Sequence, residues 1–127
     1  MKWYLKCLKQ YADFSGRARR KEFWIFTLPN NLLFNLLYLW LEYVSDDFIT
    51  DDSNFAYIVL FLLLLFYSFI VIIPGLAVSV RRLHDTSHSG WWLLLSLVPV
   101  ANIVLLSFYV CDSTPGANEY GENPKGC

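Results

Sequence analysis

The chain has 127 residues, enough for one domain, with 56% hydrophobic and only 17% charged residues and a mean hydropathy of +0.39. A soluble domain needs about a quarter charged residues to cover its surface, so this composition excludes a freely soluble chain. The net charge of −1 hides a segregation: Lys2, Lys6, Lys9, Arg17, Arg19, Arg20 and Lys21 crowd the first 22 residues, while 45–54 carries Asp46, Asp47, Asp51 and Asp52 and no base.

The N-terminal segment 1–22 interleaves its lysines with Trp3, Tyr4, Leu5, Leu8, Tyr11 and Phe14. That pattern predicts a short basic amphipathic helix on a membrane surface, with its rings at headgroup depth. Asp13 or Ser15 is placed to cap a helix running from Arg17 into the first apolar stretch. This first stretch has no small-residue cleavage site and is too long for a signal peptide, so the N-terminus is expected to stay.

Three apolar stretches follow, at 23–44, 55–80 and 91–111. About 20 helical residues cross a hydrocarbon core ~30 Å thick, and each stretch is long enough. The expected fold is therefore an all-α membrane protein: three transmembrane helices preceded by the interfacial helix, in one domain. Pro74 and Pro99 are expected to bend the second and third spans. Aromatic residues mark the span ends, with Phe23, Trp24, Trp40 and Tyr43 on the first and Trp91, Trp92 and Tyr109 on the third. Bases concentrate in 1–22 and in the loop 81–90, so the positive-inside rule puts both in the cytosol of a bacterial inner membrane. The acidic loop 45–54 and the turn-rich, loose tail 112–127 are then periplasmic.

Within the first span Asn31, Asn35, Tyr38 and Glu42 share one helix face, which should turn toward other helices because polar groups facing lipid are costly. Asn35, Ser68 and Asn102 fall near the middle of their spans. They suit interhelical hydrogen bonds or, in an oligomer, the lining of a pore or transport path.

The loop Arg81-Arg-Leu-His-Asp-Thr-Ser-His-Ser-Gly90 carries the most chemistry. Arg81 and Arg82 suit the negative end of the second helix, and Asp85, Thr86, Ser87 or Ser89 can cap the third. Together with Arg17, Arg19, Arg20 and Lys21 they form a cationic cluster suited to anionic lipid headgroups, with His84, Asp85, Ser89 and Gly90 shaping the loop. The same bases can instead pair with Asp13, Glu22 and Asp85. His84 and Asp85 could form an acid–base pair acting on a membrane lipid, but no nucleophile accompanies them, so no catalytic residue is assigned. Two histidines make too small a ligand set for a metal. No cofactor and no nucleic-acid partner are expected. The expected partners are the bilayer, its anionic lipids, and a further copy or another membrane protein.

Three cysteines, Cys7, Cys111 and Cys127, form no CxxC pair, which argues against a zinc ribbon or a thioredoxin-like site. The expected topology puts Cys7 in the reducing cytosol and leaves a Cys111–Cys127 disulfide open.

Three motifs resemble the bacterial YhaH/YhaI-type inner-membrane proteins, the domain-of-unknown-function 805 family. They are Tyr11-Ala-Asp-Phe-Ser-Gly-Arg-Ala-Arg-Arg-Lys-Glu-Phe-Trp24, then Arg81-Arg-Leu-His-Asp85 with Ser89-Gly-Trp-Trp92, then Thr114-Pro-Gly116 with Asn118, Tyr120-Gly121 and Pro124. The family often has Gly where Ser87 stands, usually has a base near Glu119, and does not typically have His at position 88. The resemblance implies an inner-membrane location and no particular activity. The expectation is a non-enzymatic accessory or interaction protein with a lipid-binding cytosolic face. The alternatives are an oligomeric pore or transporter subunit and a lipid-modifying enzyme.

Overall fold

The computed structural model describes residues 2–47 and 54–126. Most of the aspartate-rich loop expected at 45–54, and Cys127 with its open disulfide, lie outside the described residues. The chain is all-helical, with no strand among those residues: α1 (Lys2–Lys9), α2 (Arg20–Asp47), α3 (Asn54–Asp85), a 3₁₀ helix (Gly90–Leu97) and α4 (Asn102–Val110). It divides into two compact units, Met1–Phe26 with Ile73–Cys127, and Thr27–Ile72.

The Thr27–Ile72 unit holds the apolar parts of α2 and α3. At ~1.5 Å per residue, 28 residues in α2 and 32 in α3 are each long enough for a bilayer. Phe55–Asp85 is the one helix among the described residues both long and apolar enough to cross a membrane. Asn30, Asn31, Asn35 and Pro29 make α2 less apolar. The two helices are joined by a hydrogen bond from the Tyr67 hydroxyl to Asn30 Oδ1 at 2.6 Å, and Asn30 and Leu41 are buried. Leu62, Phe66 and Phe69 on α3 are 54%, 66% and 65% exposed, an arrangement that water would not tolerate and lipid would.

In the other unit, α2 starts at Arg20 rather than at Arg17. Asp13 accepts from the Ser15 N–H (3.0 Å) and hydroxyl (2.6 Å) in a local turn, and Gly16 turns left-handed at φ 81°. The Ala18 N–H then donates to Arg81 O at 3.0 Å, so this stretch is held against α3 and cannot wind into α2.

The third expected span is corrected. Residues 91–111 do not form one helix; the 3₁₀ helix ends at Leu97 and α4 begins at Asn102. Pro99 lies in the break. It has no N–H to donate and pushes Val98 out of the helical region, and Val98 sits at φ −109°, ψ 113°. Eight residues of 3₁₀ helix and nine of α4 reach roughly 16 and 14 Å, about half a hydrocarbon core each. The two pack against each other, with the His88 ring stacked 3.9 Å from Phe108 and Trp92 edge-on to the same ring. Both ends of this hairpin return to the same end of α3. At Gly90 a Cβ would stand 2.9 Å from Val80 Cγ1. Beyond α4 the Thr114 N–H donates to Asp85 O at 3.0 Å.

The tail is corrected for the same reason. It is neither loose nor placed away from the N-terminal segment. Gly116 and Gly121 take positive φ, and Asn118 and Gly121 exchange backbone hydrogen bonds at 2.9 and 3.1 Å. The resulting turn puts Tyr120 flat on His84, ring centroids 3.9 Å apart.

Candidate functional site: a buried arginine–carboxylate cluster

The N-terminal segment, the end of α3 and the tail meet around two carboxylates, both 0% exposed. The first is Asp85. It accepts from Arg17 Nε at 3.0 Å, from Arg82 Nη1 three residues earlier on α3, and from the Ser113 hydroxyl. The rest of the Arg17 guanidinium binds main-chain oxygens: Nη1 donates to Gly116 O (2.8 Å), and Nη2 to Thr114 O (2.8 Å) and Asp85 O (3.2 Å). Arg17 therefore satisfies carbonyls of the folded tail that burial would otherwise leave unpaired.

Arg82 does the equivalent for α4. The last carbonyls of a helix lack intrahelical donors and carry the negative end of its dipole. Arg82 Nε donates to Tyr109 O (3.2 Å) and Nη2 to Cys111 O, while Arg20 Nη1 reaches Val110 O (3.2 Å). Two arginines thus hold the returning end of the hairpin.

The second carboxylate is Glu22 at the start of α2. Arg81 Nη1 and Lys6 Nζ each donate to it at 2.9 Å. Arg81 Nη1 also donates to Gln10 Oε1, while its Nε and Nη2 are buried without a partner among the described residues. Cys7 packs its sulfur over Glu22 and is 0% exposed. Burial, and then the Glu22 charge, push its thiol up to about 11. Neighbouring residues of a helix point about 100° apart, so Arg81 and Arg82 serve different carboxylates.

The expected cationic cluster is therefore split. Arg17, Arg81 and Arg82 are buried, at 7%, 1% and 0% exposure, and are not free hooks for headgroups, because each is already paired with Asp85 or Glu22. Arg19 is half-buried, bonded to Pro124 O and lying over the Trp3 ring. Arg20 and Lys21 are exposed, and Arg20 faces Asp112 at 3.5 Å. Asp13 serves Ser15 and Gln10 rather than a base.

His84 and Asp85 are not brought together as an acid–base pair. His84 Nδ1 lies 3.1 Å from Gly16 O, so that nitrogen carries the proton, and Asp85 is committed to two arginines and Ser113. Of the capping candidates, Ser89 accepts from the Trp91 N–H at 3.3 Å. Ser87 takes φ 61°, a left-handed turn that Gly adopts more readily. Asn35, Ser68 and Asn102 each donate within their own segment, to Asn31 O (2.8 Å), Leu64 O (2.8 Å) and Ser96 O (3.4 Å). The stripe Asn31, Asn35, Tyr38 and Glu42 is exposed; only Asn31 of the four borders a cavity with α3, beside Tyr67, Ser68, Val71 and Ile72.

Sequence reasoning named the buried cations and their two carboxylates. It missed Cys7, Ser113 and the carbonyls of 109–116 as partners. The one available signal was the density of small polar residues and glycines in the third motif.

Comparison with known proteins places the three motifs in a family. The chain is 44% identical to the inner membrane protein YhaI of Escherichia coli (strain K12), over 98% of this chain and 97% of that one. It is 39% identical to the inner membrane protein YhaH of the same strain, over 98% of each. No solved structure matches it. Residues 11–122, which take in nearly all of the cluster, match the family described as "Protein of unknown function (DUF805)", and the chain belongs to that family.

Proposed function

We propose that this chain is an integral inner-membrane protein that holds a rigid polar head at the cytosolic face and presents it to anionic lipid. The observation that carries the reading is the inverted burial: Arg81, Arg82, Glu22 and Asp85 are inside while Leu62, Phe66, Trp91 and Leu97 are outside. A chain solvated by hydrocarbon along its length and by headgroups at one end sorts its residues this way.

In this reading α2 and α3 cross the bilayer, and the hairpin 90–110 dips in and returns. Both termini then face the cytosol. Lys125, the one base outside 1–22 and 81–82, joins the other nine on that side, which strengthens the positive-inside argument. α1 lies at the interface, with Leu5 and Leu8 toward lipid. The family relatives named as inner membrane proteins support the location.

The head's internal arginines are buried and paired with Asp85 or Glu22, so lipid recognition falls to exposed bases with no ion pair among the described residues, Lys2, Lys9 and Lys21. Each contributes ~1 kcal/mol at an anionic surface. The test is co-purified phosphatidylglycerol and cardiolipin, measured for the native chain and for a Lys2→Gln, Lys9→Gln, Lys21→Gln variant. The variant should keep its fold and lose most of the anionic lipid; unchanged lipid overturns the assignment.

The pore reading requires Asn35, Ser68 and Asn102 to line a shared path, and each is bonded within its own segment. The enzyme reading requires a His84–Asp85 pair, and Asp85 is engaged elsewhere.

A further inference from the structure

We infer that the exposed polar flank of α2 is the interface between two copies of this chain. The inference rests on the membrane reading above. Asn31, Asn35, Tyr38 and Glu42 fall within an arc of about 60° at ~100° per residue and run ~16 Å along the helix. The side that meets α3 carries Asn30 and Leu41; the stripe is centred about 100° around from it, and only Asn31, at its N-terminal end, also borders a cavity with α3. All four stripe residues are exposed, whereas neighbouring exposed positions, Leu28, Leu32 and Leu39, are apolar and suit lipid. Amides in hydrocarbon need partners. Asn31 and Asn35 each give one N–H to their own helix, to Thr27 O and Asn31 O at 2.8 Å. Among the described residues, each keeps a second N–H and its Oδ1 without a partner.

The occupant follows from symmetry. Two copies inserted in one orientation and related by an axis along the bilayer normal bring their α2 helices together in parallel, with equal residues at equal depth. Only a group that both donates and accepts can pair with itself. The Asn amide and the Tyr hydroxyl do so, and they occupy the three inner levels of the stripe. Glu42, which as a carboxylate cannot, stands nearest the 45–54 loop, where water reaches it. The stripe is therefore self-complementary through its buried depth, as a two-fold contact requires.

The experiment uses native membranes and a chain whose cysteines are replaced, Cys7→Ala, Cys111→Ser and Cys127→Ser. Tyr38→Cys on the stripe should give an oxidative cross-link of twice the chain's mass; Leu39→Cys, about 100° around the helix, should not. In labelled vesicles, Asn31→Leu with Asn35→Leu should weaken self-association on the order of tenfold. Carbonate extraction of the same membranes separates the two claims. Protein released by carbonate overturns the membrane reading and the pairing with it. Retained protein that does not cross-link, or that cross-links to another mass, overturns the second copy alone.

Discussion

Replacing Asp85 by Ala should be the most damaging single change in the head. The carboxylate is fully buried between two buried guanidiniums, Arg17 at 3.0 Å and Arg82. Its loss leaves two like charges facing each other with no counter-charge. Removing one partner of a buried pair costs about 3–5 kcal/mol, and the lost Ser113 hydrogen bond adds to this. Small proteins are stable by only about 5–15 kcal/mol, and 1 kcal/mol corresponds to about 3–5 °C for a chain of this size. The expected fall in melting temperature is therefore about 10–25 °C, read by size exclusion of heated, detergent-solubilised protein. Asp112→Ala is the control. Asp112 also meets two bases, Arg20 and Lys125, but at 59% exposure, and an ion pair open to solvent contributes little. An Asp85→Ala variant that melts with the native chain, or with the Asp112→Ala control, would refute the claim that this cluster holds the head together.

Cys7, its thiol raised from 9.0 to about 11, stays protonated through physiological pH, with about a hundredfold less thiolate than an ordinary cysteine. Maleimide should modify exposed Cys111 in the folded protein and reach Cys7 only after denaturation; equal rates would contradict its burial against Glu22. Gly90→Ala puts a Cβ 2.9 Å from Val80 Cγ1 and should cost about 1–3 kcal/mol, largely recovered by Val80→Ala. A melt that the second change does not raise would dispute the hairpin's close approach to α3. Tyr67→Phe removes the 2.6 Å hydrogen bond to Asn30 and should lower stability by about 0.6 and at most about 1.7 kcal/mol; no change would mean the bond is absent in the bilayer.

Some of this was readable from the residues. Long apolar runs with charges at their ends located α2 and α3 closely, because hydropathy and length suffice for a continuous helix. They do not distinguish a straight span from a hairpin at 91–111, which is equally apolar and long. Only Pro99 and Asn102 signalled the break. Periodicity placed Asn31, Asn35, Tyr38 and Glu42 on one face, but it cannot say what that face meets, and the neighbouring face with Asn30 is the one that meets α3. Charge counting found the cations. Whether a base is buried depends on contacts more than sixty residues apart, such as Arg17 with Asp85, and one sequence does not reveal them.

Where the tail ends is the central claim, because the head assembles only if residues 90–110 turn back. Alkaline phosphatase, active only outside the cytosol, and a fluorescent protein that folds only inside it can each be fused to the C-terminus. The phosphatase can also be inserted within 45–54. The account predicts a fluorescent, phosphatase-silent C-terminus and an active insertion in the loop. An active phosphatase at the C-terminus would mean that 91–111 crosses the membrane, and the packing of the tail on Arg17 and Asp85 would be wrong.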